Sequence, residues 1–554
     1  MVAHFKNIRL SINTWVIAAL FLVIILITPV LVILYNVFDT PSETWTHLYQ
    51  TVFGDYIANT LIVAIGVAFL TLLIGIATAW LVATCNFPGR SIFEWMLILP
   101  LSVPTYIVAY TYAGIFDYTG PIQKFMRDVL DIQESGLLDI MNIYGIIGLL
   151  SFVLYPYVYV MVKTTFLNQS QLLLESSRIL GSSATRTFFK VAFPLARPAI
   201  IGGVSLVLME TLNDYGAMSY FGINTFTTGI FRAWFSLGDV GAAIYLSGFL
   251  MLFVFLLILV ERWQRGRASY SERVKLNKPI RKYKLNRLQS IFAFIVCLLP
   301  VLIGFIIPFA QLLYWASQTS PHVINRQFWL LVLNSFTLAM ITACLCIVIA
   351  TILLYAARLH PTLFVKTLTK VTVLGYSIPG AVIAIGIMVT TLCLDSSLKL
   401  FLKNTMGLSV NLLLSGSFII LIFAYLVRFL AISYNAIETG FKEVSINLHE
   451  VARSLGTGTF KTLWQVELPL IKNALIAGIL LVFIDVLKEL PLTLVLRPFN
   501  FETLATKTFQ LASDERVADS ASIALIIIIT ETLPIFFLSK LITNKMVNES
   551  SRNS

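Results

Sequence analysis

Charge is scarce in this sequence. Of its 554 residues only 12% are charged, 58% are hydrophobic, and the mean hydropathy is +0.86. A water-soluble domain of ordinary composition carries about a quarter charged residues, so a conventional soluble protein is excluded. Cysteine is rare too. Cys85, Cys297, Cys344, Cys346 and Cys393 lie in or beside apolar runs, without the CxxC or paired Cys/His spacing of a metal site. Buried, inert thiols are expected. The five histidines (His4, His47, His322, His360, His449) are scattered. No metal cluster follows from them and no convergent catalytic set, so the chain does not read as an enzyme. A phosphate loop is also missing. Gly456-Thr-Gly-Thr-Phe-Lys461-Thr462 comes near, but Phe460 stands where a glycine must precede the lysine, and no strand leads into it. No cofactor is expected on this chain.

What the sequence has in abundance is apolar stretches near 20 residues, each long enough to cross a hydrocarbon core of roughly 30 Å. Twelve are expected, at roughly 14–37, 57–84, 92–116, 143–166, 197–215 and 240–261, then 289–315, 330–357, 368–392, 412–436, 472–490 and 520–541. The fold class is therefore an all-α polytopic membrane protein, with the lipid bilayer as its surroundings. A net charge of +11 raises the question of nucleic acid, but the basic residues sit in short loops and read as topology signals instead. Lys6 and Arg9 precede an apolar run that continues past Pro29 to Val37 with no small-residue cleavage site, so an uncleaved first span is expected. Residues 38–56 contain Asp39, Glu43 and Asp55 but no Lys or Arg, whereas 262–288 holds ten Lys and Arg. By the positive-inside rule the basic segment is cytoplasmic, and an even number of spans places both termini on the same side.

That basic segment is the seam of an internal duplication. Glu175, Arg178, Leu180, Gly181, Val191 and Pro194 align with Glu450, Arg453, Leu455, Gly456, Val466 and Pro469, at an offset of 456 − 181 = 275. The same offset pairs Asn59 with Asn334, Ser102 with Ser377 and Pro104 with Pro379. The chain divides accordingly into a first half (1–265, core about 53–262), a basic linker (266–288) and a second half (289–554, core about 328–540). Six spans separate equivalent points, so the halves are parallel repeats, and a pathway is expected at their interface.

The best-matched segment lies between the fourth and fifth span of each half. Each copy begins with a helical stretch (171–180 and 447–455) that stops at a glycine, and a second helical turn runs to Pro194 or Pro469. A short amphipathic helix across the inner face is a docking surface for a partner groove. These segments resemble the EAA loop of type I ABC import permeases, with Glu175, Ser176, Ser177 and Gly181 in one copy and Glu450, Val451, Ala452 and Gly456 in the other. Three of the four positions after the glutamates are not alanine. The resemblance implies a coupling helix seated in an ATP-hydrolysing subunit, two copies of that subunit per chain, ATP used by that partner alone, and a bacterial inner-membrane location.

Two spans carry unusual charge. Glu210 and Asp214 lie four residues apart and match Asp485 and Glu489 at the repeat offset; on a continuous helix each pair shares a face. Ionisable groups within spans normally face a cavity or a partner. Glu210 lies about 13 residues from the start of its span, roughly 20 Å deep, so a cation path through the four carboxylates is one expectation. The other is structural, with Lys488 pairing Asp485 or Glu489 and Asp214 capping its helix. Tyr106, Tyr110 and Tyr112 are likewise either pathway-facing or packing residues. Over nearly its whole length the chain also looks like fused ferric-iron permeases, on Met209–Gly216, Tyr220–Gly222, Thr225–Arg232 and Glu502–Thr506. This implies a periplasmic binding protein that delivers ferric iron. Fused thiamine permeases share the layout, and an ion-gradient-driven carrier shares the span count but has no need of matched Glu…Gly…Pro loops.

Overall fold

A computed structural model of the chain describes residues 14–131, 139–168, 177, 181–265, 282–406 and 414–552. Among these residues the chain is helical apart from turns and a two-residue parallel pairing of Cys85–Asn86 with Tyr283–Lys284. Ten helices are long and apolar enough to cross a membrane, and two further pairs of helices qualify as bent spans. The protein is therefore a multi-pass membrane protein, and the twelve expected spans fall on these twelve segments.

Two of the expected spans change shape, each at a proline. Residues 92–116 are not one straight helix: Arg90–Ser102 and Thr105–Leu130 meet at 89°. Proline disfavours the helical region for the residue before it, and Val103, ahead of Pro104, is extended (φ −108°, ψ 112°). Ile378 does the same ahead of Pro379 (φ −87°, ψ 128°). The long apolar helix of expected span 368–392 consequently starts only at Gly380 and runs to Met406. In the eleventh span, Lys472–Lys488 follows Thr459–Leu470 at a 78° bend.

The backbone repeats at the spacing of 275 that the aligned residues define. Tight helical turns end at Ser102 and Ser377, and helices start at Thr105 and Gly380. Widened π-helical turns occupy Phe188–Ala192 and Leu463–Glu467, spans stop at Asn213 and Lys488, and short helices begin at Gly216 and Pro491. Local geometry has thus been kept where most side chains have diverged.

The chain forms two compact units, residues 1–40 with 331–503 and residues 41–330 with 504–554. Each unit joins the opening span of one sequence half to the middle spans of the other. In the first unit, Thr14–Asn36 packs on Gly380–Met406. A Cβ at Gly386 would lie 2.4 Å from the carbonyl oxygen of Pro29, so only glycine allows this approach. In the second unit, Phe53–Thr84 packs along Ile143–Asn168, and a Cβ at Gly75 would lie 2.7 Å from Cβ of Val158. Lipid tails are as apolar as leucine, so helices associate in a bilayer through close packing at small residues rather than by escaping water. The remaining apolar side chains, such as Ile17, Phe21, Ile24 and Leu31 on the first helix, stay exposed, as lipid-facing groups should.

The seventh span of the second unit shows how backbone polarity is satisfied at this depth. A π-turn at Leu302–Ile306 sends the Ile307 N–H to Leu302 O instead of Ile303 O, and Pro308 has no N–H to replace it. The Tyr112 hydroxyl donates to Ile303 O at 2.8 Å and closes the gap.

Leucine at Gly386 or Gly75 should lower the thermal midpoint of the detergent-purified chain by several degrees, since forcing bulk into a packed contact costs about 1–3 kcal/mol. Gly202→Ala, where the added Cβ meets nothing within 4 Å, should leave it unchanged or slightly higher. Equal midpoints for all three would show that these contacts do not set stability.

Candidate docking loops and intramembrane carboxylates

The second repeat copy shows how the docking segment is built. Ser445 caps the helix Ile446–Ser454, its hydroxyl accepting from Asn447 N at 3.3 Å. The helix ends because Gly456 adopts φ +86°, a left-handed conformation that glycine alone takes without strain, and Thr457 N then donates to Ala452 O at 3.3 Å. The first copy closes the same way, with Gly181 at φ +78° and Ser182 N donating to Ser177 O at 3.0 Å. Glu175 and Ser176 lie outside the described residues.

Side-chain directions explain which motif positions can vary. Leu448, Val451 and Leu455 are exposed, the last at 78%, and Glu450 is exposed beside them. Ala452 is buried against the protein body. A valine is therefore harmless at 451, where it points outward, while a small residue is required at 452. The exposed face, an apolar row flanked by a carboxylate, is free to enter a partner groove. Each copy is also pinned to the helix that follows it. Ser177 Oγ lies 3.0 Å from Thr187 Oγ1 and Thr457 Oγ1 lies 2.8 Å from Thr462 Oγ1; Thr187 and Thr462 are repeat equivalents, both fully buried. The near-miss phosphate loop at Gly456–Thr462 is this cap and turn.

The intramembrane acids are arranged otherwise than a continuous helix would place them. The spans end at Asn213 and Lys488, one residue before the second acid of each pair, so Asp214 and Glu489 sit in extended backbone at the break (φ −69°, ψ 117° and φ −67°, ψ 118°). There they cap the short helices that follow. Asp214 Oδ1 accepts from Ala217 N at 2.9 Å, and Glu489 Oε1 accepts from Leu492 N at 3.1 Å. Their own carbonyls accept the hydroxyls of Thr227 (2.9 Å) and Thr493 (2.8 Å). A carboxylate at a helix N-terminus also complements the helix dipole.

The two halves differ in counter-charge. Glu489 Oε2 lies 3.3 Å from Arg428 Nε, both side chains nearly buried, and Asp485 lies 2.9 Å from Lys488 Nζ. The matching first-half positions are Val153 and Asn213, neither of them basic. Glu210 accepts from the Tyr157 hydroxyl at 3.5 Å. Arg428 did not figure in the reading of the sequence, although a basic residue in the apolar run Phe423–Ile432 is itself a signal that a buried acid lies near.

The tyrosines are packed. Tyr106, Tyr110 and Tyr112 are buried, with Tyr106 edge-on to Phe509 at 6.4 Å and Tyr110 to Tyr220 at 6.2 Å. All five cysteines are free thiols. Cys85, Cys297 and Cys346 are buried as expected, but Cys344 and Cys393 are exposed, since each faces outward from its long helix. Among the described residues there is no group of three or more His, Cys, Asp or Glu side chains arranged to hold a metal ion.

Both repeats carry, ahead of equivalent spans, a loop closed by a left-handed glycine, Gly181 and Gly456. Residues 71–268 and 354–548 both match the family described as binding-protein-dependent transport system inner membrane component, and the chain belongs to that family. Relatives include the Fe(3+)-transport system permease protein FbpB 2 of Haemophilus influenzae, 24% identical over 89% of this chain and 91% of its own length. The ferric transport system permease protein FbpB of Actinobacillus pleuropneumoniae is 22% identical over 80% of this chain and 65% of its own. A probable sulfate transport system permease protein cysT of Chlorokybus atmophyticus is 27% identical, but over 37% of this chain and 70% of its own.

Removing one partner of a buried ion pair leaves the other charge uncompensated, at a cost of about 3–5 kcal/mol. Arg428→Met should therefore strongly lower the thermal midpoint, and adding Glu489→Gln should recover much of the loss. A single variant as stable as the parent would show that the pair contributes nothing.

Proposed function

We propose that this chain is the transmembrane permease subunit of an ATP-driven, binding-protein-dependent importer for ferric iron. In this reading it lies in a bacterial inner membrane with both termini in the cytoplasm. One cytoplasmic ATPase docks on each repeated loop, and a periplasmic binding protein brings the cargo. The observation that carries the cargo assignment is the end-to-end match, through both repeats, to a relative named for Fe(3+) transport. The sulfate permeases align with little more than a third of this chain. Charge favours the same choice, because carboxylates at 210, 214, 485 and 489 disfavour entry of a dianion such as sulfate. In the second half Arg428 and Lys488 lie against Glu489 and Asp485 and offset part of that charge.

The cycle is the one that the resemblance of the two loops to coupling helices implies. ATP binding draws the two ATPases together, and each pulls on one docking loop through contacts around Glu175 or Glu450. The spans that follow these loops move with them and open the pathway toward the binding protein; hydrolysis resets them. The Schellman-type closure at Gly456 keeps the docking helix Ile446–Ser454 short enough to move as one piece.

Cells lacking the gene should lose uptake of labelled ferric citrate and keep uptake of labelled sulfate and thiamine. Loss of either of the latter alone would leave an importer with a different cargo. Reversing charge at both Glu175 and Glu450 should reduce ferric uptake at least tenfold at unchanged chain abundance, and undiminished uptake would remove the docking role from these residues.

A further inference from the structure

The second docking helix carries an inward-facing residue that docking itself does not use. His449 precedes Glu450 but turns toward the protein body, with Nδ1 2.7 Å from Glu467 Oε1. Glu467 is fully buried and closes the π-helical turn Leu463–Glu467. Its second oxygen lies 3.6 Å from Nε of Arg358, in the last turn of the span Arg326–Leu359. The same guanidinium donates through Nη1 to Phe441 O at 2.9 Å and through Nη2 to Val444 O at 3.0 Å, at the end of the span Phe418–Glu443. One turn earlier, the Tyr355 hydroxyl donates to Thr459 O at 2.7 Å, just past the docking helix. All of these residues belong to one compact unit.

Three side chains therefore tie together four elements: the docking helix, the turn after it, and two spans. Burying such charges gains little stability over apolar residues of similar volume. The first repeat is built that way, since the positions matching His449, Glu467 and Arg358 are Leu174, Ala192 and Ala83. What the charged set adds is direction. Apolar contacts let helices slide, whereas hydrogen bonds and an ion pair hold an angle.

We propose that His449, Glu467 and Arg358 form a rigid joint, present only in the second half, that passes movement of the docking helix into the spans Arg326–Leu359 and Phe418–Glu443. They are positioning residues, acting through the docking helix and touching neither ATP nor cargo. The two docking loops are then mechanically unequal, and the second one dominates coupling. This joint rests on the importer reading of the chain.

The experiment uses the full chain in its native membranes, measuring uptake of labelled ferric citrate, ATP hydrolysis with and without ferric-loaded binding protein, and chain abundance. His449→Ala should assemble at the parent level and keep basal hydrolysis; Glu467→Gln, which leaves Arg358 without its buried counter-charge, is compared at matched chain abundance. Stimulation by the binding protein should fall at least fivefold, and uptake with it. His449→Asn, whose amide nitrogen takes the place of Nδ1, should recover at least half of the stimulation, and the double variant should be no worse than the worse single one. Undiminished stimulation in the assembled His449→Ala variant overturns the joint. So does a loss that simply follows chain abundance, with Asn no better than Ala. Absence of ATP-dependent uptake in the parent chain overturns the importer reading first, before any variant is compared.

Discussion

A hydrocarbon core offers no water to an unpaired N–H or C=O, and each such group left bare costs several kcal/mol. Much of this architecture answers that constraint. Every interruption of a span needs a side chain or a shifted turn to replace the missing backbone bond. Asp214 and Glu489 cap the helices that follow the breaks after Asn213 and Lys488, and Thr227 and Thr493 cover the carbonyls of those same residues. Tyr112 supplies the hydroxyl that Pro308 prevents the backbone from replacing. The polar residues conspicuous in the apolar sequence are in large part repairs to the backbone.

Duplication explains why the repairs come in pairs, and divergence explains why the pairs differ. The breaks after Asn213 and Lys488, the π-turns Phe188–Ala192 and Leu463–Glu467, and the left-handed Gly181 and Gly456 fall at one constant spacing, because backbone geometry at these points tolerates little change without loss of the fold. Side chains around them have fewer restrictions. The acid at the break is compensated by Arg428 in one half, where the other has Val153. The docking helix is tied by a charged set in one half, where the other has Leu174, Ala192 and Ala83 at the matching positions. A fused chain can evolve such asymmetry because its halves are never interchangeable, unlike two copies of one subunit.

Much of this was legible in residue order alone. Span number follows from hydropathy, and the repeat follows from a gapless offset. Helix ends at Gly181 and Gly456 follow from the one residue suited to a left-handed cap. Less legible was the shape of individual spans. Residues 92–116 are apolar throughout, and hydropathy averages across Pro104, which turns the chain by 89°. Long-range pairing was also hidden. Arg428 meets Glu489 and Arg358 meets Glu467 across 61 and 109 residues of sequence (489 − 428 and 467 − 358), and no local pattern links them. His449 looked like one of five scattered histidines because its partner is fixed only once the docking helix folds back on the π-turn.

The swap of opening spans between sequence halves has a consequence for biosynthesis. Thr14–Asn36 is among the first segments made, yet its packing partner Gly380–Met406 begins 344 residues later (380 − 36). At about 5–20 residues per second the first helix waits roughly 17–70 s in the bilayer before that partner is made. The surface around Ala19, Val23 and Leu26, later covered by protein, must be as comfortable in lipid as in the finished unit. This region is accordingly the most apolar stretch of the chain, with no charged residue from Thr14 to Phe38. Covalent fusion guarantees that the awaited partner arrives on the same molecule, so assembly never depends on finding a second chain.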